Sequence, residues 1–139
     1  EITTRLVGSE MCIRDSFILG AFSINVINEN GIKKILRNVN LLQHTIRNLC
    51  SEPSNISMAN TIAFYSLISQ TENVLIQKIN DKELPLLTKD DFKNILRLQF
   101  SEEIDQQVKR QNSMSANNAS KPVNRRYNEA LKKIEALNI

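Results

Sequence analysis

The residues most able to do chemistry in this chain are few and scattered. His44 is the only histidine, and Cys12 and Cys50 are the only cysteines. A zinc centre or a Cys–His nucleophile needs several such groups at short spacings or brought together by the fold, and none of these residues has a partner of that kind nearby in sequence. His44 falls on the polar side of a helical pattern, which points to a solvated imidazole. Glu102, Glu103 and Asp105 lie close together, but acid–base work needs two carboxylates in different environments beside a pocket. At this spacing they read as a solvated helix face. No glycine-rich phosphate loop or nucleophile elbow is present. The sequence therefore predicts no catalytic residue, no cofactor site, no metal site and no small-molecule substrate: a non-enzyme.

The charged residues suggest binding rather than catalysis. Residues 1–108 carry 11 basic and 13 acidic groups, whereas residues 109–139 carry 7 basic and 2 acidic. Lys121, Arg125, Arg126, Lys132 and Lys133 could line one side of a terminal helix and meet phosphate, which would release counterions. Tyr127 is the only aromatic residue near them, and it falls on the apolar seam, so stacking on bases is poorly served and no nucleic acid is expected. Contact with an acidic membrane surface suits a basic amphipathic helix better. The final Leu137-Asn138-Ile139 has the apolar-x-apolar form that a PDZ groove takes up, and ordinary helix packing by Leu137 explains it equally well. Sequons at Asn55 and Asn118 are short enough to arise by chance.

The elements that must position these groups are helices. Hydrophobic residues make up 41% of the 139 and charged residues 24%, with three Gly, three Pro and no Trp. So few backbone breakers argue for an all-α, antiparallel helical bundle. Residues 6–16, Leu-Val-Gly-Ser-Glu-Met-Cys-Ile-Arg-Asp-Ser, resemble translated sequencing-adapter sequence, and residues 1–16 read as a non-native artefact segment. Residues 17–27 are apolar almost all round, too short to span a bilayer, and could be a buried strand or a buried helix. Asn28 to Gly31 reads as a turn.

Ile32, Ile35, Leu36, Val39, Leu42, Ile46 and Leu49 then recur at spacings of three and four, the mark of an amphipathic helix. Ser51 to Asn55, with Pro53, ends it. A second helix is expected from about Ser57 to Ile79, striped by Met58, Ile62, Tyr65, Ile68, Leu75 and Ile79. Thr88 is the expected N-cap of a third, with Asp90 and Asp91 in its first turn and Phe92, Ile95, Leu96, Gln99, Ile104 and Val108 on one face. The bundle thus covers residues 17–111. Residues 112–121 read as a polar flexible linker, and residues 122–139 as a basic amphipathic helix with a seam of Val123, Tyr127, Ala130, Leu131, Ile134 and Leu137.

The run from Asn28 to Gln43, with Gly31-Ile32-Lys33-Lys34 followed by Arg37-Asn38 and a hydrophobic stretch at its core, resembles the C-terminal region of the exocyst complex component 4 (Sec-eight) family. The likeness extends back to Phe17 and continues through Ala63-Phe64-Tyr65 and Val74–Ile79. Beyond Pro85 only the plan of the elements is shared. The resemblance implies a stacked helical-rod subunit whose end this chain forms, with residues 17–27 helical. It also implies membership of the eight-subunit exocyst, which tethers secretory vesicles to the plasma membrane before SNARE-mediated fusion. Other exocyst subunits would be the partners, and the location cytoplasmic, peripheral at the plasma membrane and vesicles. A chain lacking the upstream rod should expose apolar surface and be marginally stable, as the near-continuous apolar run of residues 17–27 indicates.

Overall fold

The computed structural model describes residues 13, 15–50, 57–113 and 122–138. The expected linker residues from 114 to 121, Lys121 included, lie outside these, as do Cys12, Pro53, the sequon asparagines and their partners except Ser57, and Ile139. The side chain of Val123 is likewise not described. Every regular element among the described residues is a helix, and none is long and apolar enough to cross a membrane.

The chain is helical over 15–20 and tightens into a 3-10 turn at Ala21–Ser23. There it stops: Ile24 is extended, with φ −77° and ψ 123°. The helix that the family resemblance implied over residues 17–27 is thus shorter than expected. The carbonyls of Ala21 and Ile24 are taken by Arg97, which fixes an extended exit where a longer helix would need Ile24 in helical geometry.

Helix α1 (Glu29–Asn48) begins inside the stretch read as a turn. Asn28 is its N-cap, in extended geometry, and its Oδ1 accepts a 2.9 Å hydrogen bond from the Gly31 N–H. One of the four free donors of the first turn is thereby satisfied, so the Asn-Glu-Asn-Gly signal marks a cap rather than a loop. Ile32, Val39 and Ile46 form the buried seam, one every second turn, with Ile35 and Leu36 half-buried beside it. Leu49, placed on that stripe by its spacing, is exposed because the helix has ended at Asn48.

The single helix expected from Ser57 to Ile79 is two: α2 (Ala59–Ile68) and α3 (Glu72–Asn80). Ser69, Gln70 and Thr71 make the break. Ser69 Oγ donates to the Ser66 carbonyl at 2.8 Å, and Gln99 Nε2 donates to the Leu67 carbonyl at 2.7 Å. These bonds occupy carbonyls that a continuing helix would have needed. Thr61, Phe64, Tyr65, Leu67 and Ile68 are all buried, so α2 is covered on nearly every side.

Helix α3 closes with a Schellman arrangement. The Glu83 N–H donates to the Lys78 carbonyl and the Lys82 N–H to the Ile79 carbonyl, with Lys82 at φ 55°. That left-handed position is the one glycine ordinarily fills.

Helix α4 (Lys89–Ser113) runs two residues into the segment expected to be linker. Its N-cap is as expected: Thr88 Oγ1 accepts from the Asp91 N–H at 3.2 Å, and Asp91 Oδ2 accepts from the Thr88 N–H at 2.8 Å. The reciprocal pair is a capping box with aspartate in the third position. Beyond the cap, α4 departs from the single stripe. Phe92, Asn94, Ile95, Leu96, Leu98, Phe100 and Ser101 are all buried, whereas Val108 is exposed. This helix is the axis of the bundle over its first half.

Helix α5 (Pro122–Glu135) packs its seam of Ala130 and Ile134, flanked by Tyr127 and Leu131, into the same core. Lys89 and Lys93 at the start of α4 reach Glu135 at the end of α5, and Glu103 lies 3.8 Å from Arg126 at the other end. Those contacts make α4 and α5 antiparallel. A separate small cluster joins Ile46 and Cys50 with Ile13, and Cys50 is a free, buried thiol.

Replacing Lys82 with glycine should remove the left-handed penalty at this exposed site. Because glycine also loses more entropy on folding, the net gain is expected at about 0.5–1 kcal/mol, read from the urea midpoint. An unchanged or lower midpoint would contradict this.

Candidate interaction surface

The groups singled out for chemistry do not converge. His44 is exposed, with Nε2 3.2 Å from Asn48 Nδ2 one turn along. Asp105 pairs with Lys109 at 2.6 Å, Glu103 faces Arg126, and Glu102 is exposed. No group of three metal-capable side chains occurs among the described residues.

The basic set is divided. Arg126 forms a bidentate pair with Glu72 of α3, at 3.0 and 3.1 Å, and its guanidinium lies 5.2 Å from the centre of the Phe100 ring. Phe100 in turn meets Tyr127 edge-on at 5.7 Å. The arginine therefore fastens α5 to α3 and α4. Arg125 pairs within α5 with Glu129 at 2.9 Å, and this contact holds the Glu129 carboxyl below its ordinary range. Lys132 and Lys133 are exposed at the far end of the helix.

A set of polar residues on α4, with no place in the sequence patterns except Gln99, organises the backbone around it. Arg97 Nη1 donates to the Ile24 carbonyl at 2.6 Å, and Nη2 donates to the Ala21 carbonyl at 3.0 Å. Its Nε and Nη2 also reach Asn94 Oδ1, at 3.1 and 2.7 Å. Ser101 Oγ accepts from the Ile27 N–H at 3.2 Å and donates to the Leu98 carbonyl at 2.8 Å. From α2, Tyr65 donates its hydroxyl to the Phe17 carbonyl at 2.6 Å. Four residues of the segment, Phe17, Ala21, Ile24 and Ile27, thus have backbone groups held by side chains of α2 and α4, at both ends and in the middle. An arginine among apolar neighbours is the one signal in the sequence that could have suggested such a clamp.

What this clamp exposes is apolar. Leu19 and Phe22 are 66% and 46% exposed, and Leu86, after α3, is 65% exposed. With the edges of Ile18 and Leu87 they line a groove of about 430 Å³, bordered by Asn60, Thr88, Asp90 and Asp91, with Asp15 at one side. The apolar exposure expected near residues 17–27 is present here. Asp90 and Asp91, expected only as favourable charges at a helix start, also form this rim.

No family model, curated protein or solved structure matches the chain.

Burial pushes the Tyr65 phenol above its ordinary value of 10.0. The unfolded chain would release that proton first, so the neutral form contributes stability that is complete below about pH 10 and lost as pH rises through the folded value. Absorbance titration of the native protein should show a delayed phenol step, and Tyr65→Phe should remove it. A delayed step that survives the substitution would contradict the assignment.

Proposed function

We propose that this chain is a non-enzymatic subunit fragment of the exocyst, in which it serves association and contributes to tethering secretory vesicles at the plasma membrane before SNARE-mediated fusion. The observation that carries the reading is the ordered run Asn28–Gln43, which resembles the Sec-eight family and here forms the cap and first four turns of α1. The all-helical bundle supports it. Other exocyst subunits are the partners under this proposal, and the site of action is cytoplasmic, peripheral at the plasma membrane and vesicles.

A basic module binding acidic membrane or nucleic acid through residues 121–139 is the competing reading. Among the described residues it draws support from Lys132 and Lys133, because Arg125 and Arg126 face carboxylates of the same chain. Its binding to anionic liposomes should be weak and salt-sensitive.

The transcript upstream of Phe17 tests the proposal. It should encode several hundred residues of helical rod, and the full-length product should co-elute with the other exocyst subunits. A start codon close to Phe17, or a full-length product that elutes as a monomer, would contradict it.

A further inference from the structure

We infer that the groove between the N-terminal helical turn and the start of α4 is a docking site for a basic amphipathic helix of a partner protein. This rests on reading the chain as an association module and not on the tethering complex in particular.

Three features of the groove define the occupant. Its floor is apolar: Leu19, Phe22 and Leu86 stand open to solvent beside Ile18 and Leu87. Its rim is acidic, with Asp90 and Asp91 and, among the described residues, no lysine or arginine in the lining. Asp15 also borders it but belongs to the adapter-like segment, so the inference does not depend on that residue. The two lysines in the first turns of α4 are turned away. Lys89 Nζ donates to the Glu135 carbonyl at 3.0 Å, and Lys93 lies 3.4 Å from the Glu135 carboxylate, both on the α5 side of the helix. Asp91 stays bound in the capping box by Thr88, and Asp90 is exposed. A ligand with apolar anchors flanked by lysine or arginine meets both the floor and the rim, whereas an acidic one would set like charges against Asp90.

The backbone form follows from the fold. Among the described residues the groove has no sheet edge to which an extended peptide could add a strand, which favours a ligand that satisfies its own N–H and C=O groups. A helix does this while presenting anchors at positions i, i+3, i+4 and i+7. A second copy of this chain is a poor occupant. Its basic amphipathic helix, α5, already has Ala130 and Ile134 buried to within 3% of complete in its own core. An anionic membrane is disfavoured by the same acidic rim.

The test titrates an 18-residue labelled peptide of leucine anchors and lysine flanks against the 139-residue chain, with fluorescence anisotropy and backbone NMR shifts as readouts. Binding is expected with shifts centred on Leu19, Phe22, Leu86 and Thr88. Affinity should fall at least about tenfold with Leu86→Glu, with Asp90→Lys, and with a peptide carrying glutamate in place of lysine. Leu86 and Asp90 are exposed, so both variants should keep the native circular dichroism; Phe22→Ser serves as an additional floor variant if either does not. Equal affinity for the two peptides, shifts centred elsewhere, no binding at millimolar peptide, or self-association of the chain that Leu86→Glu abolishes would each overturn the inference. None of these outcomes bears on what lies upstream of Phe17, so the tethering proposal fails or stands separately.

Discussion

The Arg97 guanidinium reaches from the middle of α4 to the last carbonyls of the N-terminal helical turn, and the architecture on that side of the bundle depends on it. Carbonyls at a helix end have no partner within the helix, and away from water each must find one elsewhere. A positive donor at 2.6 and 3.0 Å satisfies two of them and complements the negative end of the turn. Asn94 holds the guanidinium in place from one turn back on α4. Truncating Arg97 would remove the charged donor from both carbonyls and leave Ala21 only the Ile24 N–H at 3.3 Å, a loss on the order of 2–4 kcal/mol by the usual worth of charged hydrogen bonds.

The consequence reaches the surface. Phe17 to Ile27 is too short and too apolar to stand alone, and side chains of Tyr65, Arg97 and Ser101 determine how it lies. In that placement Ala21 is fully buried while Leu19 and Phe22 remain outside beside Leu86. Polar bonds beneath the segment thus create the apolar groove above it. Charge is distributed to match: carboxylates border the groove, while at the opposite end of α5 Arg126 fastens the helix to α3 and α4 and Arg125 pairs with Glu129 of its own helix.

Some of this was legible in the sequence. Helix α1 was, because its buried residues recur every seventh position, with most of its other apolar residues beside them and its charges elsewhere. The Thr88 cap was legible because its chemistry is local, within three residues. The break at Ser69–Thr71 was not, since apolar residues lie on nearly every side of α2 and its stripe can be continued through Leu75 and Ile79 of α3. The buried face of the first half of α4 was misread for the same reason: a helix enclosed on several sides has no single stripe. The groove could not be read at all, because it joins residues 18–22 to residues 86–91, and that meeting is made by tertiary hydrogen bonds. The resemblance to a rod-forming family suggested exposed apolar surface in the right region but gave the segment a longer helix than it has.

Native-state hydrogen exchange, comparing the chain with its Arg97→Met variant, tests the central role of this clamp most directly. In the unaltered chain the amides of residues 18–24 should open only together with those of Phe92 to Ser101, because the segment and the axis of α4 share their hydrogen bonds. The variant should separate the two, with residues 18–24 exchanging at least about tenfold faster while the α4 core keeps its protection relative to global unfolding. If residues 18–24 exchange freely in the unaltered chain, or if the variant leaves their protection unchanged, Arg97 does not hold the segment and the groove has another origin.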